Sequence, residues 1–176
     1  MKDSEERMKK NYGLQLEILE ENDLEQIVGL YQSVIGSEGC VWDEEYPNRE
    51  ILLEDIRHQD LFGIRDEQKN VIAAIAKDRD EQIDGLACWS KELVPAAEFA
   101  RLVVAKEYQN KGIARVLITE GMKIVAKRGY QAVHYLVAAD NIKAQRSYAK
   151  LHFNKVGETE LFGHHYLCYE KAIEEL

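Results

Sequence analysis

Residues 98–127 constrain the fold more than any other part of this chain. The stretch "EFARLVV" is apolar and β-prone with little alternation, as expected for a central strand covered on both faces. The polar residues Gln109, Asn110, Lys111 and Gly112 follow. Beyond them, Ile113, Leu117 and Ile124 lie in one row, with Ala114, Ile118, Met122 and Val125 beside it, the spacing of an amphipathic helix. Gly129, after Lys127 and Arg128, marks the helix stop. A strand buried on both faces that feeds a helix demands layers of helix and sheet.

The flanking sequence supplies those layers. "LQLEILE" over 14–20 alternates as a half-buried strand does. Asn22 or Asp23 can then cap a helix carrying Leu24, Ile27, Val28, Leu30 and Tyr31, which Gly36 and Gly39 bring to an end. Pro47 and Asn48 lead into a second helix with Ile51, Leu52, Asp55 and Ile56 at helical spacing. "LFGIRD" and "VIAAIA" read as strands around the turn "EQKN", and "GLACW" as an extra strand. After the helix come the strand "AVHYLVA", a short helix "NIKAQRSYAKL" capped by Asp140 or Asn141, and two closing strands, "HFNKVGE" and "HHYLCYEK". The order strand, two helices, three strands, helix, strand, helix, two strands predicts an α/β domain with a mixed sheet.

Composition narrows the class. With 176 residues, 45% hydrophobic and 31% charged, the chain suits one soluble domain, expected over 14–176, preceded by a frayed charged arm at 1–13. No apolar run approaches the ~20 residues of a membrane span, and the N-terminal stretch has no apolar signal core. Cys40, Cys88 and Cys168 show no paired spacing, so neither a disulfide framework nor a zinc site is indicated and a reducing cytoplasm fits. A net charge of −9 argues against sequence-independent nucleic-acid binding, which needs a basic face.

A loop that turns from a strand into a helix N-terminus offers unpaired N–H groups and the positive end of the helix dipole. Gly112 lets backbone approach a bulky anion, though an ordinary tight turn would use the same glycine. The phosphate loops GxxxxGK[ST] and GxGxxG are absent. The run Gln109, Asn110, Lys111, Gly112, Ile113, Ala114 resembles the [QR]-x-x-G-x-[GA] signature of the GCN5-related N-acetyltransferase (GNAT) family, and Val104 matches the end of the family's preceding strand. Lys106 replaces the usual proline. Downstream, "ADNIKAQRSYAKLHFNKVGE" is similar to the family's Asn, Tyr, Leu, Gly-Phe pattern, with His152 where Gly is common, and "YLCYEK" to its last strand. The resemblance covers about residues 14–171.

That resemblance implies a GNAT-like α+β fold, a mostly antiparallel sheet of about seven strands with about four helices, splayed between the fourth and fifth strands. It implies acetyl-CoA or another acyl-CoA as co-substrate, without metal. The pyrophosphate would rest on the backbone of Gln109 to Ala114, and Asn141 would also be a cofactor-binding residue. Pantetheine would pair with the main chain of Leu102, Val103 and Val104 like an added strand, with the thioester carbonyl near the Leu102 N–H. Tyr148 is the candidate acid for the leaving thiolate; with about 8.5 for a thiol and about 10 for a phenol, transfer is uphill by only about 2 kcal/mol. The alternative for Tyr148 is packing beside Ala144 and Leu151. Glu98 is the candidate base, with a solvent-facing carboxylate as its alternative. Strict alternation would put it on one face with Ala100, Leu102 and Val104, about 13 Å from Leu102. Another family position for a glutamate is Leu136 here, and His134 is a weaker candidate.

By the same resemblance the acceptor enters between "CVWDEEYPN" and "ELFGHH", where Trp42, Tyr46 and Phe162 would line the mouth and Asp43, Glu44 and Glu45 would attract a cation. The expected acceptor is a small amine or a peptide amino group, with no nucleic-acid or membrane partner and with room for a homodimer. His164 and His165 point to opposite faces of a strand, a poor arrangement for one metal. The rival readings are a non-catalytic acyl-CoA-binding module, which would not need Tyr148 or Glu98, and an ATP-binding domain, disfavoured by the missing phosphate-loop Lys-Ser/Thr pair.

Overall fold

A computed structural model describes residues 15–173, so the charged arm expected at 1–13 lies outside the described residues. Strand β1 is Leu16–Ile18, shorter than the alternating 14–20 stretch. A 3-10 turn at Glu21–Asp23 leads into α1, Leu24–Gln32. Neither Asn22 nor Asp23 caps that helix in the expected way. Asp23 instead reaches back to accept from the Glu20 N–H at 3.0 Å, closing a capping box with Glu20. The helix ends at Gln32, before Gly36 and Gly39, with Leu24, Ile27, Leu30 and Tyr31 on its buried face. Asn48 caps α2, Arg49–Arg57, by accepting from Ile51 N at 3.0 Å, and Leu52, Asp55 and Ile56 are buried.

Strands β2, Leu61–Arg65, and β3, Val71–Lys77, form the expected hairpin, and β3 is buried along its whole length. "GLACW" is not a strand. Asp80 accepts from Gln82 N at 2.8 Å and starts a four-residue helix α3, Glu81–Asp84. The chain then turns so that Trp89 Nε1 donates to the Ile83 carbonyl at 2.7 Å. β4 is Ala96–Val104, α4 is Ile113–Lys127, β5 is Ala132–Ala138 and α5 is Ile142–Ala149. β6, Asn154–Leu161, and β7, His164–Ala172, close the chain through a two-residue turn with φ +53° at Phe162 and +77° at Gly163, the left-handed pair that hairpin twist requires. His152, where the family pattern favours glycine, adopts φ +59° itself.

The strands form one seven-stranded mixed sheet in the order β1-β2-β3-β4-β5-β7-β6. The β4–β5 pair is parallel; the β1–β2, β2–β3, β5–β7 and β6–β7 pairs are antiparallel. The parallel register runs from Ala96↔Ala132 to Phe99↔Tyr135 while β4 continues to Val104 and β5 to Ala138. This is the splay expected between the fourth and fifth strands. The described residues form five α-helices, and the one beyond the expected four is the short α3.

Packing divides the described residues into two compact units: residues 15–36 with 42–76 and 101–121, and residues 37–41 with 77–100 and 122–173. In the first, Tyr31, Leu52, Leu61, Phe62 and Ile64 are among the fully buried side chains. In the second, Ile83, Trp89 and Cys168 form a core joined by Leu86, Cys88 and Leu136. Tyr135 centres a separate aromatic group there, with ring centroids 5.9 Å from Phe99, 4.6 Å from Tyr148 and 5.6 Å from Phe153. Among the described residues no helix is long and apolar enough to cross a membrane.

Candidate active site

In the first unit β4 ends at Val104, and Ala105 N donates to the Ile72 carbonyl at 2.9 Å. A 3-10 turn at Lys106–Tyr108 then carries the chain to Gln109, whose side-chain amide donates back to the Val104 carbonyl at 3.0 Å. Two left-handed residues follow, Asn110 at φ +61° and Gly112 at φ +80°. Asparagine and glycine are the residues that tolerate this region best. The Gly112 carbonyl accepts from Arg115 N at 3.1 Å and Val116 N at 3.3 Å, so Gly112 stands at the mouth of α4. The earliest N–H groups of that helix, those of Ile113 and Ala114, have no carbonyl one turn back within the helix and lie at the positive end of its dipole, which suits an anion. Lys111 lies with Nζ 5.1 Å from the Tyr108 ring centroid.

One residue upstream of Leu102 the strand carries a feature that periodicity does not reveal. Arg101 has φ +52°, a left-handed conformation that costs a residue with a Cβ roughly 1–2 kcal/mol. Its buried guanidinium forms a two-pronged pair with Asp55, Nε to Oδ2 at 3.0 Å and Nη2 to Oδ1 at 3.0 Å. Nη1 donates to the Tyr46 hydroxyl at 3.1 Å, and the Arg101 carbonyl accepts from the Tyr31 hydroxyl at 2.5 Å. Tyr31 in turn packs on Trp42, ring centroids 5.3 Å apart, and its burial pushes the phenol well above its usual range. The left-handed residue interrupts the alternation of β4, so the single face expected for Glu98, Ala100, Leu102 and Val104 no longer follows from parity.

In the second unit Glu98 is 2% exposed, which removes the solvent-facing alternative. Its Oε1 accepts from Leu136 N at 3.3 Å, just past the end of the β4–β5 register, and its Oε2 has no hydrogen-bond partner. Burial raises the Glu98 pKa well above the usual carboxylate range, Asp78 adds to the rise, and the Leu136 N–H opposes it. His134 stacks on Trp89 at 4.0 Å between centroids, and burial lowers its pKa to about 4. Neither of its ring nitrogens has a hydrogen-bond partner. Tyr148 is 6% exposed between Tyr135 and Phe153. Burial raises its pKa and the neighbouring Tyr135 hydroxyl opposes the rise, although Tyr135 Oη makes no well-formed hydrogen bond.

The family model for the Acetyltransferase (GNAT) family matches residues 29–153. The chain belongs to that family. The Gln109–Ala114 loop, the splayed β4–β5 pair and α5 all fall inside the match. Solved structures share the GNAT fold. An acetyltransferase of the GNAT family from Streptococcus agalactiae is 21% identical with a TM-score of 0.78, over 93% of this chain and 97% of that one. The protein yncA from Salmonella typhimurium, solved with its cofactor acetyl-CoA, is 13% identical with a TM-score of 0.71, over 93% and 95% of the two chains. A chimera of the spermidine N-acetyltransferase SpeG from Vibrio cholerae and hSSAT is 23% identical with a TM-score of 0.67, over 90% and 95%. Among curated proteins nothing matches the sequence.

The GNAT acetyltransferase places its sequence-predicted residues as follows. Leu102, Val103, Val104 and the 109–114 loop belong to the first unit, together with Trp42 and Tyr46. Glu98, Asn141, Tyr148 and Phe162 belong to the second. Asn141 is the N-cap of α5: its Oδ1 accepts from Ala144 N and its Nδ2 donates to the Gly39 carbonyl, both at 3.0 Å. Asp43 is engaged in its own turn, accepting from Glu45 N at 2.8 Å and Tyr46 N at 3.0 Å. Phe162, 59% exposed, sits at the hairpin tip. His165 pairs with Glu158 and Glu160, and no group of three or more metal-ligating side chains occurs among the described residues. Sequence reasoning missed Arg101 and Tyr135. A charged residue inside an apolar strand and an aspartate in an apolar helical row were the available signals for the Arg101–Asp55 pair.

The Glu98 environment has a measurable consequence. The folded protein holds the Glu98 proton more tightly than the unfolded chain does, so this contribution to stability is complete below the usual carboxylate range and is lost as pH rises through the elevated folded value. Glu98→Gln keeps the neutral shape at every pH. Urea denaturation from about pH 5 to about pH 9 should show a fall in stability for the native chain that is shallower for Glu98→Gln. Equal slopes would mean that Glu98 is ionised in the fold.

Proposed function

We propose that this GNAT acetyltransferase transfers an acetyl group from acetyl-CoA to a primary amine, by direct attack of the amine in a ternary complex. The observation that carries the reading is the left-handed Asn110–Gly112 loop opening onto the N-terminus of α4, in a chain that belongs to the family. Backbone N–H groups of Gln109, Asn110, Lys111, Gly112, Ile113 and Ala114 would hold the pyrophosphate. The main chain of Leu102, Val103 and Val104 would hold the pantetheine arm. The yncA structure, whose cofactor is acetyl-CoA, supports this choice of co-substrate.

Bound acetyl-CoA supplies the acetyl thioester. The Leu102 N–H would stabilise negative charge on the carbonyl oxygen. Glu98 would take the proton that the amine loses, which requires its ionised form, so turnover should climb as pH rises through its raised pKa. Tyr148 would donate to the departing sulfur. Its burial keeps the phenol neutral but also makes it a weaker acid, so a donated hydrogen bond matters more than complete transfer. Trp42, Tyr46 and Phe162 would contact the acceptor, a small amine or peptide amino group; the spermidine N-acetyltransferase chimera supports an amine of this kind. Residues 14–176 would act as one domain in the cytoplasm, without metal.

Calorimetry with acetyl-CoA, CoA and ATP tests the reading. Micromolar binding of the two CoA compounds and not ATP is the expected result; binding of none would remove it. Tyr148→Phe, which keeps the aromatic packing, should lower kcat by roughly 100-fold with acetyl-CoA affinity unchanged, measured by thiol release. A kcat within threefold of the native value would leave Tyr148 a packing residue only.

A further inference from the structure

The peptide between Arg101 and Leu102 is held from one side by a constellation that neither the family signature nor the sequence pattern brings out. Tyr31 Oη donates to the Arg101 carbonyl at 2.5 Å, and the Arg101 side chain is pinned by two bonds to Asp55. Carbonyl and N–H of one trans peptide are coplanar and point in opposite directions. The bond from Tyr31 therefore sets where the Leu102 N–H points. The same guanidinium donates to the hydroxyl of Tyr46 at 3.1 Å. Tyr46 lies on the segment between α1 and α2, four residues after Trp42, whose ring packs on Tyr31. One left-handed residue thus joins the backbone donor at position 102 to the aromatic pair at 42 and 46.

We infer that Arg101 is a positioning residue for acetyl transfer: with Tyr31 and Asp55 it aims the Leu102 N–H at the acyl carbonyl, and through Tyr46 it fixes one wall of the acceptor site. The inference rests on the acetyl-transfer reading above. Its two arms separate kinetically. Tyr31→Phe removes only the bond that orients the 101–102 peptide, so an interaction made in the transition state weakens and kcat falls. Tyr46→Phe removes only the bond that holds the acceptor wall, so ground-state binding of the amine weakens and KM rises.

The experiment measures CoA release from acetyl-CoA with spermidine and with a short peptide bearing a free α-amine as acceptors, together with calorimetric affinity for acetyl-CoA and thermal unfolding. Tyr31→Phe should lower kcat about tenfold with the acceptor KM within twofold of native. Tyr46→Phe should raise the acceptor KM about fivefold with kcat within twofold. Acetyl-CoA affinity should stay within twofold in both, because the 109–114 loop is untouched. Folded variants with native kcat and KM would overturn the inference while leaving the acetyl-transfer reading intact. Parallel losses of kcat, KM and acetyl-CoA affinity, tracking a lowered melting temperature, would reduce the constellation to a structural brace. Tyr46 is 39% exposed, so Tyr46→Phe folds and decides its arm even where Tyr31→Phe does not. A native chain that neither binds acetyl-CoA nor releases CoA would overturn the reading itself.

Discussion

Gly112→Asp should weaken acetyl-CoA binding by at least roughly 100-fold, about 3 kcal/mol, as measured by calorimetry. Two causes add. Gly112 has φ +80°, where a Cβ introduces strain, and the new carboxylate would stand at the mouth of α4, where the pyrophosphate is proposed to lie. Gly112→Asn separates them, because asparagine is nearly isosteric with aspartate, tolerates the left-handed region and carries no charge. Its loss should be several-fold smaller than that of Gly112→Asp. Equal affinity losses would assign the whole effect to backbone strain. Native affinity in both would mean that the loop is only a turn.

Asp55→Ala should destabilise the fold by about 3–5 kcal/mol, because it removes the buried carboxylate to which Nε and Nη2 of the Arg101 guanidinium donate. For a chain of this length that corresponds to a fall of roughly 10 °C in melting temperature. The double variant Asp55→Ala with Arg101→Met removes both charges and should recover a large part of the loss, since the buried pair costs much of its own attraction in desolvation. Thermal unfolding of the four proteins in the cycle measures the coupling. Losses that simply add would show that the pair carries no interaction of its own.

Both predictions depend on residues whose roles were unequally visible in the sequence. The loop could be read directly, because Gln109 to Ala114 form a contiguous signature and the helix that follows declares itself through its apolar rows. The order of elements was also legible, since each depends on side chains within a turn or a pair of residues. The failures were local competitions. "GLACW" has strand composition, but Asp80 caps a short helix ahead of it and Trp89 finds the Ile83 carbonyl. Asp23 serves Glu20 N and pairs with Arg65 Nη2 at 2.7 Å, so it does not cap α1 in the simple way.

The sequence by itself determined the strand and helix order, the mixed sheet and the polar loop at the start of α4, because these follow from periodicity and from turn chemistry between near neighbours. Tertiary structure alone decided the state of the site residues. Arg101 adopts a left-handed conformation next to an aspartate 46 positions earlier, and the pKa of Glu98 is raised by burial and by Asp78. Tyr148 is packed against Tyr135 and Phe153. Charge state and backbone strain depend on desolvation and on partners distant in sequence, and no local pattern of residues encodes either.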